Sequence, residues 1–139
     1  MLVLDTNHVS ELFFRSAAGD RLLARLTGNA ADAATTAVTV EESLRGWLAE
    51  IRRQDEARQQ ISAYSRLVRQ VELFASWLVL PWDEEAADNF DRLNHLRQKV
   101  GTQDLKIACI ALAHDATLLS RNMEDFAHVP GLRVENWLD

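Results

Sequence analysis

Short apolar runs alternate with longer amphipathic stretches along the chain, and this alternation predicts strands and helices in turn. Leu2-Val3-Leu4 is a continuous apolar run that breaks into polar residues, which is typical of a parallel strand buried on both faces. β-branched and apolar content predicts four further strands, over residues 33–38, 78–80, 117–120 and 132–134.

Apolar residues at helical spacing fill the intervals between these strands. Helices are predicted over residues 7–15, 19–27, 83–100 and 102–113, with two more between 41 and 77 that join near 52–55 and form a hairpin arm. This alternation of strands and helices implies that the helices form crossover connections between parallel strands. We therefore predict a three-layer α/β/α fold with a short, mostly parallel sheet, as a single domain over residues 1–139.

The second helix of the hairpin carries a stripe of large apolar residues. This spacing is typical of a core face or of a face that packs on a partner helix. Its members are Ile61, Tyr64, Leu67, Val68, Val71 and Phe74.

Composition supports a compact soluble protein. The chain has 139 residues and is 47% hydrophobic, which is enough for one core without disulfides. Its single cysteine, Cys109, lies in an apolar segment and is predicted to pack in that core, as suits a reducing compartment. No apolar run approaches the roughly 20 residues that a membrane span needs. We expect a cytoplasmic protein with no membrane association.

The net charge of −6, from 21 acidic and 15 basic residues, argues against a general electrostatic grip on nucleic acid. The arginines are nevertheless concentrated in the hairpin region, where they form either a solvated helix face or the border of a site for a polyanion. They are Arg45, Arg52, Arg53, Arg58, Arg66 and Arg69.

Four acids are the candidate functional residues: Asp5, Glu42, Asp104 and Asp125. Each has a local structural explanation, since Asp5 and Asp125 suit turns and the other two suit helix starts. For Glu42 that explanation is a capping box with Thr39 as the helix cap. The predicted fold, however, directs all four toward the carboxyl edge of one parallel sheet, where α/β proteins place their sites.

Such a cluster needs protons or a cation. Two carboxylates 4 Å apart repel by about 4 kcal/mol at an effective dielectric of 20, against a whole-domain stability of roughly 5–15 kcal/mol. Oxygen ligands without Cys or His favour Mg²⁺ or Mn²⁺ over Zn²⁺. Hydrolysis of a phosphodiester is the natural reaction for such ions. We expect Asp5 and Asp104 as the firmest metal ligands, with Glu42 and Asp125 acting through water.

Five segments together resemble a PIN domain of the VapC toxin type. They are Leu2-Val3-Leu4-Asp5-Thr6-Asn7, residues 39–46, 101–108 and 119–126, and the ending 129–137. The resemblance covers nearly the whole chain. It implies a Mg²⁺- or Mn²⁺-dependent endoribonuclease that acts on RNA, is held inactive by a cognate antitoxin, and is often a homodimer.

The resemblance also implies roles for single residues. Asp5, Glu42 and Asp104 match the family's three acids, and Asp125 matches a fourth, more variable acidic position. Asn122 matches the polar residue before it, while Thr6 and Ser120 match hydroxyl positions that orient carboxylates or a phosphate. Glu41 competes with Glu42 for its position, although the spacing to Leu44 and Gly46 favours Glu42. Gln103 departs from the family's pattern, at a position where the change affects contact with the substrate more than metal binding.

The remaining polar residues offer weaker candidates. The four histidines, His8, His95, His114 and His128, lack metal-ligand spacing and are predicted at surface positions or helix ends. A non-catalytic PIN-like module that binds RNA or protein through the hairpin is the alternative function. A phosphohydrolase with Asp5 as nucleophile is a third, but the position two residues on is Asn7 rather than a second Asp.

Overall fold

The computed structural model describes residues 1–139 and contains one sheet of five parallel strands. The strand order is β3-β2-β1-β4-β5, so the first strand of the chain lies at the centre. Its three apolar residues are all buried, which explains why a continuous apolar run occurs there. The strands are β1 (Leu2–Leu4), β2 (Ala33–Thr36), β3 (Leu78–Leu80), β4 (Thr117–Leu119) and β5 (Arg133–Glu135).

Eight helices connect and cover the strands. They are α1 (Thr6–Phe14), α2 (Ala17–Thr27), α3 (Ala37–Arg53), α4 (Ile61–Ala75), α5 (Glu84–Leu93), α6 (Arg97–Val100), α7 (Thr102–Ala113) and α8 (Met123–Phe126), with 3₁₀ turns at Ala57–Gln60 and Asn94–Leu96. None of the helices has the length and apolar content that a bilayer crossing requires.

Apolar side chains from alternate strand positions enter two separate cores. Val3 and Leu118 belong to one cluster, built mainly with α5 and α7. Leu4 and Leu119 belong to the other, with side chains of α1, α2 and α4. The sheet is therefore covered on both faces, and the predicted three-layer α/β/α fold is confirmed.

The start of α3 differs from the sequence prediction, and the difference matters for Glu42. β2 ends at Thr36, whose hydroxyl accepts a hydrogen bond from the Thr39 amide at 3.1 Å and so caps α3. The predicted capping box of Thr39 and Glu42 is wrong, because the helix begins three residues earlier. Glu42 lies in the second turn of α3, where its carboxylate is free for other contacts.

Two other helix boundaries also differ from prediction. Asp5 caps α1 by accepting from the His8 amide, so the helix begins at Thr6 rather than at residue 7. The helix predicted over residues 83–100 is interrupted at Asn94–Leu96, which forms a 3₁₀ turn. The residues after this interruption form α6, which leads to Gly101.

The hairpin arm predicted from the sequence is formed by α3 and α4, which pack along each other. The apolar stripe of α4 divides into two groups. Phe74 is buried in the core, whereas Ile61, Tyr64, Val68 and Val71 are each more than half exposed. This exposed set, spaced as one helix face, is called the outer face of α4 below.

Cys109 is buried in α7, as its sequence context predicts. Burial raises the pKa of its thiol to about 11. The thiolate is therefore scarce at neutral pH, which suits a thiol that packs in the core.

Candidate active site

The four candidate acids come from different elements and meet at the carboxyl edge of the sheet. Asp5 directly follows β1, and Asp125 lies in α8 just after β4, the neighbouring strand. Glu42 projects from α3, and Asp104 lies in the first turn of α7. Asp5, Glu42 and Asp125 are all close enough for their charges to act on Asp104. The geometry thus gathers all four acids in one place.

Asp5 is held by two hydrogen bonds to one of its oxygens. Its Oδ1 accepts from the His8 backbone amide at 2.9 Å and lies 3.1 Å from His8 Nδ1. The ring of His8 is completely buried, and its Nε2 accepts from the Trp137 amide at 3.3 Å. His8 therefore connects Asp5 to the C-terminal segment of the chain.

These contacts define the hydrogen position on the His8 ring. Because Trp137 N–H donates to Nε2, that nitrogen carries no hydrogen, and the neutral ring has its hydrogen on Nδ1. Nδ1 then donates to Asp5 Oδ1, and both ring nitrogens are satisfied. Of the two positions predicted for His8, the helix end is correct, since His8 lies in the first turn of α1, and the surface position is wrong, since the side chain is buried. The burial depends on Trp137, which lies 129 positions away in the sequence, and no local pattern indicates it.

We expect His8→Leu to lower the free energy of unfolding by about 1–3 kcal/mol, because it leaves the buried Trp137 amide without a partner and removes one of the two hydrogen bonds to Asp5 Oδ1. His8→Asn retains a side-chain N–H near the position of Nδ1 and should lose less. Urea unfolding of both variants measures the difference. A His8→Leu protein as stable as the wild type would contradict the assigned hydrogen bonds.

A chain of three threonine hydroxyls positions Glu42. Thr6 Oγ1 donates to Glu42 Oε1 at 2.7 Å, which uses its only hydrogen. Thr39 Oγ1, 3.2 Å from Thr6 Oγ1, must therefore donate to it, and Thr36 Oγ1 donates in turn to Thr39 at 3.5 Å. The dipoles of the three hydroxyls align toward the carboxylate and strengthen one another. Sequence analysis identified Thr6 but gave Thr36 and Thr39 no role at the site.

Asp104 and Asp125 are joined by Asn122, whose Nδ2 donates to Asp104 Oδ2 at 3.2 Å and to Asp125 Oδ2 at 3.0 Å. Ser120, fully buried at the end of β4, accepts from the Asn122 amide at 3.0 Å and shapes this turn. Gly101, before α7, has φ +90°, a conformation that favours glycine. It allows α7 to start with Asp104 in its first turn.

The pKa of the Asp104 carboxyl is raised above its ordinary value. Burial is the main cause, followed by the charges of Asp5, Glu42 and Asp125, while the hydrogen bond from Asn122 opposes the shift. The folded protein thus favours the protonated form of Asp104. The stability that this group contributes is complete below its unfolded pKa and is lost as the pH rises through the folded pKa.

The direction of this pKa shift predicts how stability depends on pH. Without divalent cations, Asp104→Asn, which imitates the protonated carboxyl, should melt above the wild type at about pH 8. The difference should shrink as the pH falls toward the ordinary aspartate pKa of about 3.9, because the raised pKa makes the folded wild-type carboxyl take up its proton above that value. Melting temperatures measured in chelator across this range test it. A constant difference between the two proteins would show that Asp104 is not destabilised by ionisation.

The unused oxygens of the four acids are of the chemical type that binds a divalent cation. Each carboxylate gives one oxygen to the hydrogen bonds above, and no protein donor meets Asp5 Oδ2, Glu42 Oε2, Asp104 Oδ1 or Asp125 Oδ1. None of these atoms is sealed from solvent, and no lysine or arginine forms an ion pair with the four acids.

This set of hard oxygen donors matches Mg²⁺ or Mn²⁺ in chemistry. The side chains alone do not bring three ligands together around one point. An ion that retains several waters, as Mg²⁺ usually does, suits such a spacing.

Two neighbouring residues that the sequence left ambiguous lie outside this group. Glu41 is exposed, pairs with Arg45 and accepts from Gln103 Nε2 at 3.0 Å. Of the two adjacent glutamates, Glu42 therefore faces the acids and Glu41 faces away. Gln103 is engaged by Glu41 at the rim of the site.

A parallel α/β/α domain with acids converging at the carboxyl ends of its central strands is the class that the fold and site define. The chain belongs to the PIN domain family, whose sequence profile matches residues 2–132.

Ribonuclease VapC2 of Rickettsia felis is 45% identical to the chain over 38 residues. The match covers 27% of this chain and 28% of that relative, so it spans little more than a quarter of the relative's length. The crystal structure of VapBC2 from Rickettsia felis, bound to a DNA fragment from their promoter, has a TM-score of 0.72 and 24% identity, with 98% of both chains covered. A toxin–antitoxin complex from Klebsiella pneumoniae has a TM-score of 0.69 and 21% identity, covering 99% of this chain and 98% of that chain. These structures have the same fold as this chain.

Proposed function

We propose that this protein is a Mg²⁺- or Mn²⁺-dependent endoribonuclease that hydrolyses phosphodiester bonds of RNA. The observation that carries the proposal is the set of four carboxylate oxygens at one edge of the sheet, each reachable from solvent and without a protein donor. The family and the match to a ribonuclease over 38 residues support the choice of RNA. The proposal places a single PIN domain in the cytoplasm, where RNA is available.

Asp5, Glu42, Asp104 and Asp125 would hold the cation, with Asp5 and Asp104 as direct ligands and Glu42 and Asp125 through water. When bound, the ion would supply a Lewis acid that lowers the pKa of an attacking water and offsets charge on the phosphate. The chain's own contribution is orientation. His8 holds Asp5, and the threonine hydroxyls hold Glu42.

Asn122 keeps Asp104 and Asp125 at a fixed separation by bridging one oxygen of each. The raised pKa of Asp104 means that protons compete with the cation for this carboxylate. Acid should therefore reduce activity at a higher pH than it would if Asp104 had the ordinary pKa of an aspartate.

The chemistry of the cut ends tests the proposed reaction. Attack by water leaves a phosphate on one end and a hydroxyl on the other, whereas attack by the ribose 2′-hydroxyl leaves a 2′,3′-cyclic phosphate. We expect RNA cut by the purified protein with Mg²⁺ to carry no cyclic phosphate. Cyclic phosphate ends formed equally well in chelator would overturn the metal-hydrolysis proposal. Binding of RNA without any cleavage would instead favour the non-catalytic module.

We further propose a protein antitoxin as partner, docking on the outer face of α4. Four apolar side chains at helical spacing are exposed there, as an amphipathic partner helix requires. The fold is shared with the toxin–antitoxin complex described above over nearly the full length of both chains. The homodimer that the sequence resemblance implies stays a prediction, which sedimentation of the purified chain would test.

A further inference from the structure

A cleft beside the four acids has features that metal binding does not use. It has a volume of about 460 Å³, lies between α1, α3 and α4, and shares Thr6 and Glu42 with the acidic site. Its other walls include Phe14, Trp47, Arg66 and Gln70. An RNA strand with one phosphate at the acids would therefore have the cleft within reach of a neighbouring nucleotide.

One wall of the cleft is aromatic and is accompanied by a free cation. The rings of Phe14 and Trp47 lie 6.0 Å apart, centroid to centroid, and Phe14 is 52% exposed. The Arg66 guanidinium lies 5.8 Å from the first ring and 5.7 Å from the second. Arg66 forms no ion pair with any carboxylate. Its charge is available for a phosphate, which arginine binds well.

Gln70 gives the independent observation. Its side chain is 3% exposed, and its Oε1 accepts from Trp47 Nε1 at 3.2 Å. Its Nε2 has no hydrogen-bond acceptor, and only one other buried side-chain N or O atom in the protein, the acceptor Asn94 Oδ1, also lacks a partner. Native proteins rarely leave a buried amide unpaired, so this donor calls for an acceptor from outside the chain.

We propose that the cleft binds one base of the RNA substrate, an inference that rests on the proposed function for the strand's position. The base stacks on the exposed aromatic surface, and one of its ring or carbonyl acceptors meets the Gln70 amide. Arg66 contacts the adjoining phosphate. Phenylalanine or leucine from a protein partner would fill the same space, but would satisfy neither the amide nor the arginine.

Binding of short RNA in chelator and low salt tests the proposal without requiring cleavage. Labelled heptamers are compared with the same sequence lacking a single base, with the abasic site moved along the strand. At one position, wild-type protein should bind the intact RNA about tenfold tighter than the abasic RNA. Trp47→Leu should abolish that difference while binding the abasic RNA as the wild type does.

Arg66→Gln should weaken binding of both RNAs and reduce its salt dependence, because it removes a phosphate contact. Arg52→Gln, an equal change of charge elsewhere on the hairpin, is the matched control. Gln70→Met, which keeps the side-chain volume, provides a second test should Trp47→Leu fail to fold, and it should also reduce the preference for intact RNA.

The proposal is overturned if no abasic position matters, or if Trp47→Leu weakens both RNAs equally. The cleft would then be left for a protein partner. These outcomes are distinct from failure of the proposed nuclease. Base-dependent binding without cleavage would support the cleft and remove the catalytic function, whereas cleavage without base dependence would do the reverse.

Discussion

Asp104→Asn is expected to reduce RNA cleavage by about 10³-fold, equivalent to about 4 kcal/mol of transition-state stabilisation. The negative charges of the other three acids all act on Asp104, and its Oδ1 accepts no hydrogen bond from the protein. An amide keeps the shape of the side chain but loses the negative charge that holds a cation. The initial rate of cleavage of one defined RNA at saturating Mg²⁺ measures the effect.

Melting temperatures of the same variant distinguish loss of metal binding from loss of the fold. Excess Mg²⁺ should stabilise the wild type, by about 2.7 kcal/mol at 100 times the dissociation constant, and should stabilise Asp104→Asn much less. Asp91→Asn is the control, since this exposed acid of α5 makes the same change of charge away from the site. Full activity in Asp104→Asn would remove Asp104 from the mechanism.

Phe126→Ala is expected to cost about 3–5 kcal/mol of folding free energy, a large part of the roughly 5–15 kcal/mol of a typical domain. Phe126 is the largest of the completely buried side chains and belongs to the cluster under α5 and α7. Its removal leaves a cavity that α8, a helix of one turn, cannot close. We expect the melting temperature to fall by on the order of 10–20 °C.

The same substitution should also disturb the active site, because Asp125 precedes Phe126 in α8 and Asn122, which bridges Asp104 and Asp125, directly precedes that helix. Cleavage well below the melting temperature should therefore also decline. Met123→Ala is the matched control on α8, since this large side chain is exposed and its loss leaves no cavity. Equal stability of the two variants would contradict the role of Phe126 as an anchor for α8.

The fold could be predicted from the sequence because its strongest signals are local. Leu2-Val3-Leu4 reads as a buried strand, and helices alternate with strands in an order that only a parallel sheet accommodates. The same topology directs Asp5 and Asp125 to one edge, since residues that follow parallel strands meet there. The common location of Asp5 and Asp125 was therefore predictable.

The hydrogen bonds that hold the four acids in place were not predictable, because they depend on contacts between residues distant in the sequence. His8 and Trp137 are separated by 129 positions, and nothing near His8 indicates a buried ring. Thr39 has the sequence context of a helix cap, yet the cap is Thr36, which frees Thr39 to donate toward Thr6. Several threonines in a row allow more than one helix start, and tertiary hydrogen bonds decide between them.

The outer face of α4 is a third feature that the sequence pattern alone does not predict. Helical spacing made Ile61, Tyr64, Val68 and Val71 equivalent to Phe74, although only Phe74 contacts the core. Periodicity identifies an apolar stripe but not what covers it.

The central claim is that the four acids form a metal-dependent site for RNA hydrolysis. Its most direct test is a time course of cleavage of a mixed RNA pool by wild-type protein and Asp5→Asn, each with Mg²⁺, with Mn²⁺ and with chelator. We expect cleavage only by the wild type with metal, lost in chelator and restored when Mg²⁺ is added back. Equal cleavage by Asp5→Asn, or cleavage that persists in chelator, would contradict the claim.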